Sequence, residues 1–245
     1  MNKDELTQTF IHHIGPQEVD CSGYMSLTAL GSAILNTAGD AAEKHNFGMN
    51  FLLKEGLTWV VSRLSISIDK LPKMYDVIKI ETWIKNYGRV FTIRNFKIYN
   101  SKREEICKAS SQWAVIDLKT RRPFDLRNKP EWQQYATEES RGVEDPIGIS
   151  AISGELISEH RVRFSDIDFN QHTNSMKYAE WMLDSYSPDT LKNRSITQFD
   201  INYMHEALYG QNIKIVRSEN ENQSLFNLTD NDNFSVCRAA IRWRL

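Results

Sequence analysis

The chain has 245 residues, of which 40% are hydrophobic and 25% charged, and its net charge is −2. This composition is that of a globular protein with one large or two ordinary domains, and the near-neutral charge argues against bulk nucleic-acid binding. No apolar run approaches the roughly 18 residues of a membrane span and no secretory signal is recognisable, so we expect a soluble cytoplasmic protein. The three cysteines are scattered without metal-ligand spacing, so we expect no metal site.

The first half of the chain predicts one long helix followed by a run of strands. A short strand at Phe10–Ile14 precedes a helix at Leu27–Lys44, whose apolar residues recur every three or four positions. Four strand patterns follow, at Thr58–Asp69, Val77–Lys85, Val90–Tyr99 and Cys107–Asp117. We expect an antiparallel sheet that wraps around the helix, because this arrangement buries the helix's apolar face.

The second half repeats this order, which predicts two units of the same kind. A strand at Glu159–Phe164 and a helix at Ser175–Tyr186 precede strands at Ile196–Tyr203, Asn212–Ser218, Ser224–Leu228 and Ser235–Arg244. Three pairs of segments match in the same order: Asp20–Tyr24 with Asp168–His172, Ile78–Ile80 with Ile213–Ile215, and Cys107–Trp113 with Cys237–Trp243. We therefore expect an α+β protein with domains at residues 1–127 and 151–245. A linker at residues 128–150 is predicted from its prolines, glycines and acidic residues.

The segment Asp168-Phe169-Asn170-Gln171-His172 is the strongest functional signal in the chain. In an extended conformation its acid, amide and imidazole project to one face. The helix predicted from Ser175 would direct unpaired N–H groups to the same place, which suits attack on a carbonyl or its polarisation. The alternatives are structural: an Asx-turn for Asp168, turn or cap roles for Asn170 and Asn174, and a structural role for His172. We favour a functional site, with Asn174 as a cap, because burying three polar groups to no purpose is costly.

The residues from Ser165 to Tyr178 resemble the catalytic motif of the acyl-acyl-carrier-protein (acyl-ACP) thioesterases, which are best known from plants. Thr58–Arg63 resembles the first-half signature of that family, and the resemblance extends from about residue 10 to the C-terminus. It implies a tandem (double) hot-dog fold, in which each half is an antiparallel sheet wrapped around a long helix. Without the targeting extension of the plant enzymes, the chain resembles a bacterial member.

The resemblance also assigns the site residues. It implies that Asp168, Asn170 and His172 are the acid, amide and histidine of the active site and that Glu206 is its glutamate. Ala207 stands where the plant enzymes have a cysteine, which excludes a thiol nucleophile at that position. We expect His172 and Glu206 to activate water as a general-base pair, whereas Asp168 either orients its neighbours or attacks the carbonyl directly.

The implied reaction is hydrolysis of the thioester of fatty acyl-ACP, which releases the fatty acid, ends chain elongation and requires no cofactor. An apolar tunnel in the first half, with Trp59 and Val61 in its lining, would hold the acyl chain. Arg121 and Arg122 belong to a basic cluster that is either a solvated face or a docking surface for an acidic carrier protein. The alternatives are an acyl-CoA thioesterase and a non-catalytic fatty-acyl binding protein. A homodimer is compatible with the sequence.

Overall fold

The computed structural model describes residues 6–244. The chain divides into two compact units, which meet in the sequence at Pro146 and Ile147. Each unit contains one five-stranded antiparallel sheet and two α-helices. None of the helices among residues 6–244 combines the length and the apolar character needed to cross a membrane.

The first unit is an antiparallel sheet with one long helix. The strands have the order β1-β3-β4-β5-β2, and every neighbouring pair is antiparallel. Helix α1 has the predicted limits, and it lies against β1 and β3. The bounds of the elements are β1 Gln8–His13, α1 Leu27–Lys44, α2 Met49–Lys54, β2 Leu57–Ile68, β3 Val77–Tyr87, β4 Phe91–Tyr99 and β5 Glu105–Asp117.

Helix α1 forms where local and tertiary preferences agree. The Ser26 side chain accepts a hydrogen bond from the Ala29 N–H at 3.1 Å and so caps the first turn. Leu30, Ile34 and Ala41 lie on one face at helical spacing and are buried. The apolar face therefore packs on the sheet, as the periodicity predicts.

The predicted linker differs from the structure, because much of it packs on the first unit. Residues 130–135 form a 3-10 helix whose Trp132 is buried in an aromatic cluster with Phe47. The Thr137 N–H donates to the Ile84 carbonyl of β3 at 2.8 Å, and the Trp83 indole N–H donates to the Glu139 carbonyl at 2.8 Å. Proline and acidic residues correctly indicate irregular backbone here, but irregular backbone that buries a tryptophan belongs to a domain.

The second unit has the same sheet order with shorter helices. Its strands run β6-β8-β9-β10-β7, again antiparallel throughout. The elements are β6 Glu155–Arg161, α3 Lys177–Leu183, α4 Pro188–Asn193, β7 Ser195–Tyr203, β8 Asn212–Glu219, β9 Gln223–Thr229 and β10 Ser235–Arg244. Both units are hot-dog folds, so the chain is a tandem hot-dog of the α+β class.

The helix predicted at Ser175–Tyr186 is present as α3 but is shorter at both ends, and the unpredicted α4 lies beyond Tyr186. Helix α3 ends at Leu183, where the Ser185 hydroxyl donates to the Met182 carbonyl at 2.6 Å and competes with a further helical turn. Ser187 then caps α4, which has Pro188 in its first turn. Serine and proline chemistry thus overrides the apolar periodicity that predicts one longer helix.

Candidate active site

The predicted catalytic segment lies in a tight loop, residues 166–174, between β6 and α3 of the second unit. The Asn174 N–H donates to the Asp166 carbonyl at 2.8 Å, and the Asp168 N–H donates to the His172 carbonyl at 2.8 Å. Ile167 and Thr173 form an antiparallel bridge between these two bonds. We name this segment the Asp168 loop. Its residues do not alternate along an extended strand, so that part of the sequence interpretation is wrong.

Asp168 holds the tip of the loop in shape. One of its carboxylate oxygens, Oδ1, accepts the Asn170 N–H at 2.8 Å and the His172 N–H at 3.3 Å, which is an Asx-turn. Gln171 adopts a positive φ of 65°, and its N–H donates to the Asp168 carbonyl at 3.0 Å. Among residues 6–244, no hydrogen bond is made to the second oxygen, Oδ2, so this oxygen can face a substrate or a water.

His172 meets Glu206, which lies between β7 and β8. The distance from His172 Nε2 to Glu206 Oε2 is 3.2 Å, and the side chains are 26% and 39% exposed. A carboxylate beside a half-buried imidazole can accept a proton and pass it to a second group, which is the chemistry of a general-base pair. The structure thus brings together two residues that are far apart in the sequence.

Two of the N–H groups at the start of α3, where the sequence predicts oxyanion donors, are already used. The Met176 N–H donates to the Asn174 side chain at 3.0 Å, and the Lys177 N–H donates to the Asn174 carbonyl at 3.0 Å. The N-cap itself is Met176, which has no side-chain cap bond, so Asn174 acts in the turn ahead of the helix and not as the predicted cap. The side-chain amide of Asn170, which is partly exposed in the loop, is another donor.

A pair that the sequence pattern does not reveal anchors the Asp168 loop, and its carboxylate is buried. His160 Nε2 of β6 lies 2.8 Å from Asp166 Oδ2, and the Arg163 N–H donates to the same oxygen at 2.8 Å. Burial alone would raise the pKa of Asp166, but these hydrogen bonds outweigh it and lower that pKa below its ordinary value. The His160 ring also stacks on Trp181 of α3, with ring centroids 4.3 Å apart.

The first unit contains a second copy of this loop. The Asp20 N–H donates to the Tyr24 carbonyl at 2.9 Å, and Asp20 Oδ1 accepts the Ser22 N–H at 2.8 Å. His12 Nε2 lies 2.7 Å from Glu18 Oε1, much as His160 Nε2 lies 2.8 Å from Asp166 Oδ2. The backbone bonds that close the two loops correspond, but the bond from the His172 N–H to Asp168 has no counterpart, and the first loop has Ser22 and Tyr24 where the second has Asn170 and His172.

An apolar cavity of about 180 Å³ lies within the first unit. Trp59 lines it as predicted, whereas Val61 of the same strand is half-buried and is not among its lining residues. The lining also includes Arg94, which the sequence analysis did not single out. The remaining lining residues are Leu35, Ala38, Gly39, Ala42, Phe47, Gly48, Met49, Ile84, Tyr87, Thr92 and Trp113.

The basic cluster follows β5 in a turn of the first unit. Arg121 and Arg122 are exposed, and the Arg121 N–H donates to the Asp117 carbonyl at 2.8 Å. Elsewhere in the cluster Arg127 contacts Asp125 at 2.6 Å and Lys129 contacts Glu55 at 2.8 Å, so part of the positive charge that is counted in the sequence is neutralised locally. Within the described part of the chain, no three histidine, cysteine or carboxylate side chains are grouped as metal ligands would be.

Comparisons with known proteins cover both units. The sequence profile of the acyl-ACP thioesterase N-terminal domain matches residues 6–130, and that of the C-terminal domain matches residues 149–245. A chloroplastic palmitoyl-acyl carrier protein thioesterase of Gossypium hirsutum is 28% identical over 216 residues, which are 79% of this chain and 51% of that protein. A chloroplastic oleoyl-acyl carrier protein thioesterase of Coriandrum sativum is 25% identical over 214 residues, which are 78% and 56% of the two chains. The chain thus spans about half the length of the curated relatives it matches.

Solved structures show the same fold over the full chain. An acyl-ACP thioesterase from Bacteroides thetaiotaomicron is 30% identical, covers 100% of both chains and has a TM-score of 0.91. A putative oleoyl thioesterase from Lactobacillus plantarum is 24% identical, covers 97% and 96% of the two chains and has a TM-score of 0.84. The second similarity speaks for the fold alone.

Proposed function

The chain belongs to the acyl-ACP thioesterase family, and from this premise we propose that it hydrolyses the thioester of fatty acyl-ACP and releases the free fatty acid. In fatty acid synthesis this reaction ends chain elongation. The observation that carries the proposal is the His172–Glu206 pair at 3.2 Å, in which His172 belongs to the loop that Asp168 holds in shape. A protein that only binds acyl chains does not require a histidine–glutamate general-base pair beside its ligand.

In this mechanism a water molecule lies at the His172–Glu206 pair. The pair removes a proton from the water as its oxygen attacks the thioester carbonyl, and the tetrahedral intermediate then collapses with cleavage of the carbon–sulfur bond. The proton held by the pair passes to the departing thiolate, which leaves as the thiol. The Asn170 amide can donate to the developing oxyanion, which is the stabilisation that such reactions need most.

Asp168 has two roles that its geometry supports equally. Its Oδ1 atom shapes the loop, and Oδ2 can either orient Asn170 and the water or attack the carbonyl to give a mixed anhydride. Single-turnover hydrolysis in ¹⁸O-labelled water followed by mass spectrometry separates the two roles. Anhydride formation and its hydrolysis at the aspartyl carbonyl would leave the label in Asp168, whereas direct attack by water puts the label only in the fatty acid.

We further propose that the acyl chain occupies the cavity of the first unit. Trp59 among its lining residues supports this assignment, and the volume of about 180 Å³ is slightly larger than that of an engineered apolar cavity known to bind benzene. On this reading Val61 affects the cavity only indirectly, through the packing of β2. The preferred chain length then depends on the bulky side chains that close the cavity.

Arg121 and Arg122 would steer the acidic carrier protein. Exposed guanidinium groups raise the association rate of an acidic partner, and that effect weakens with salt. Replacement of both residues by glutamate should raise KM for acyl-ACP several-fold and leave hydrolysis of the same chain on coenzyme A within about twofold. Equal losses on both substrates would favour the alternative, an acyl-CoA thioesterase.

The experiment that tests the main proposal is thiol release from acyl-ACP substrates of increasing chain length, with matched acyl-CoA controls. Because Cys21 is an exposed thiol, the assay requires an enzyme blank or a Cys21→Ser variant. Faster turnover of the carrier-protein forms supports the proposal. Acyl binding without any turnover contradicts it and leaves a binding protein.

The location and assembly of the protein are also proposals. Cys21, Cys107 and Cys237 are unpaired with one another, which suits a reducing compartment such as the cytoplasm. A homodimer is the assembly to be tested. Sedimentation equilibrium distinguishes monomer from dimer directly.

A further inference from the structure

A set of hydrogen bonds joins the residues that directly follow His172 and Glu206 in the sequence. The backbone N–H and the hydroxyl of Thr173 both donate to the Ala207 carbonyl, at 3.0 and 2.9 Å. The Ala207 N–H donates to the Tyr178 hydroxyl at 3.2 Å. We name these three residues the clasp.

The donors and acceptors of the clasp follow from the chemistry of its groups. A threonine hydroxyl has one proton, and here that proton goes to the Ala207 carbonyl. The Tyr178 hydroxyl oxygen accepts the Ala207 N–H. Burial is the main factor that raises the pKa of Tyr178 above its ordinary value, so the phenol stays protonated at neutral pH.

The clasp is buried, although the pair in front of it is accessible. Thr173, Tyr178 and Ala207 are 7%, 3% and 0% exposed. When a clasp bond is removed, water does not replace it, so the remaining partner is left unsatisfied. The clasp is consequently stiff, and Thr173 and Ala207 each directly follow a member of the pair in the sequence.

The first unit shows which part of this arrangement belongs to the fold. There the Met25 N–H donates to the Pro72 carbonyl at 2.8 Å, in the same place as the bond from the Thr173 N–H to the Ala207 carbonyl. Met25 has no hydroxyl, Pro72 has no N–H, and Leu30 stands at the position of Tyr178. The hot-dog loop therefore needs only the backbone bond. The side-chain bonds of the clasp occur in the unit that carries the polar pair.

We propose that the clasp sets the distance and orientation of Glu206 relative to His172, and that Thr173 and Tyr178 are positioning residues for hydrolysis. This inference rests on the proposed function. Small errors in the placement of catalytic groups reduce reaction rates strongly, so hydrogen bonds that hold Glu206 in place should increase kcat. Position 207 acts through its backbone N–H and carbonyl, so alanine serves there as well as any small residue would.

The test uses variants that remove one hydroxyl each in the full-length protein. Tyr178→Phe and Thr173→Val should each lower kcat roughly tenfold or more and leave KM within about twofold, whereas Thr173→Ser should restore most of the rate. Tyr186→Phe is the matched control, because Tyr186 is also in the second unit and its hydroxyl bonds Ser224 at 2.7 Å. Tyr178→Phe with wild-type kcat, or Thr173→Ser as slow as Thr173→Val, would overturn the proposal.

Two further measurements separate positioning from general stability. In a Glu206→Gln background the additional effect of Tyr178→Phe on residual turnover should shrink to less than about twofold, because the residue that the clasp positions is already impaired. An undiminished additional loss would mean that Tyr178 acts independently of Glu206 and would overturn the proposal.

Hydrogen exchange tests the clasp without reference to activity. The Ala207 amide should lose protection in Tyr178→Phe and keep it in Tyr186→Phe. Lost protection with unchanged kcat would refute the positioning role and leave the hydrolase intact. If wild-type protein hydrolyses no acyl thioester, the proposed function itself fails, whatever the exchange data show.

Discussion

Arg94 is a buried cation whose replacement should change the free energy of unfolding. Its side chain lines the apolar cavity, is 5% exposed and donates to Thr82 Oγ1 at 3.3 Å. Among residues 6–244, none of its nitrogens has a carboxylate oxygen within ion-pair distance. Burial lowers the pKa of Arg94 to about 10, so the group remains charged at neutral pH. At 1.36 kcal/mol per pH unit, the drop from its ordinary value corresponds to about 3 kcal/mol of disfavour for the buried cation.

Replacement by methionine removes this cation and keeps an unbranched side chain in the cavity. Thr82 still donates to the Asn95 carbonyl at 3.0 Å, so it is not left unsatisfied. We expect Arg94→Met to raise the free energy of unfolding at pH 7 by about 1–3 kcal/mol, measured by guanidinium chloride denaturation. Arg94→Lys is the control, because it retains the buried charge and should not stabilise. A loss of more than about 1 kcal/mol in Arg94→Met would refute the reasoning, since packing and hydrogen bonding would then outweigh desolvation.

Three other changes test the site, its anchor and the cavity. His172→Ala and Glu206→Gln should each lower kcat by roughly 10²- to 10⁴-fold, and the double variant should lose little more than the worse single one; additive losses in steady-state kinetics would contradict a common proton-transfer role. Asp166→Asn should destabilise the protein by about 2 kcal/mol at neutral pH. Because hydrogen bonds keep the folded-state pKa of Asp166 below its ordinary value in spite of burial, the stability it contributes is lost as the pH falls below about 4, and thermal melts of wild type and variant should converge there. Trp59→Leu should shift the preference to longer acyl chains and lower the free energy of unfolding by about 2–4 kcal/mol. An unchanged chain-length profile would remove Trp59 from the proposed lining of the acyl site.

The elements that the sequence predicts well are those whose local and tertiary preferences agree. Helix α1 has an apolar periodicity, a serine cap and a sheet to cover it, so its predicted and observed limits coincide. The helix predicted at Ser175–Tyr186 extends past the end of α3 because Ser185 acts over a few residues, which a periodicity averaged over a longer window does not detect. Trp132 marks the error in the linker, since a large apolar residue in an irregular segment signals packing.

The candidate site divides in the same way. The resemblance supplies Asp168, His172 and Glu206 and with them the expected pairing of His172 with Glu206. Residue spacing alone would not place these two side chains together, because the contact depends on how β7 and the loop meet. Arg94 in the cavity is hidden for another reason. An alternating strand pattern does not reveal which inward position faces a void, and an arginine is by default assigned to the surface.

The two copies of the loop allow structural and chemical roles to be separated within one chain. Asp20 and Asp168 make the same Asx-turn, so this use of the aspartate is a property of the fold. The same holds for the anchoring pairs of His12 with Glu18 and of His160 with Asp166. His172 has no such counterpart, because Tyr24 replaces it. Since the backbone bonds that close the loop and the first bond of the Asx-turn occur in both units, the fold does not require an imidazole or a glutamate there, and their presence in the second unit needs a chemical explanation.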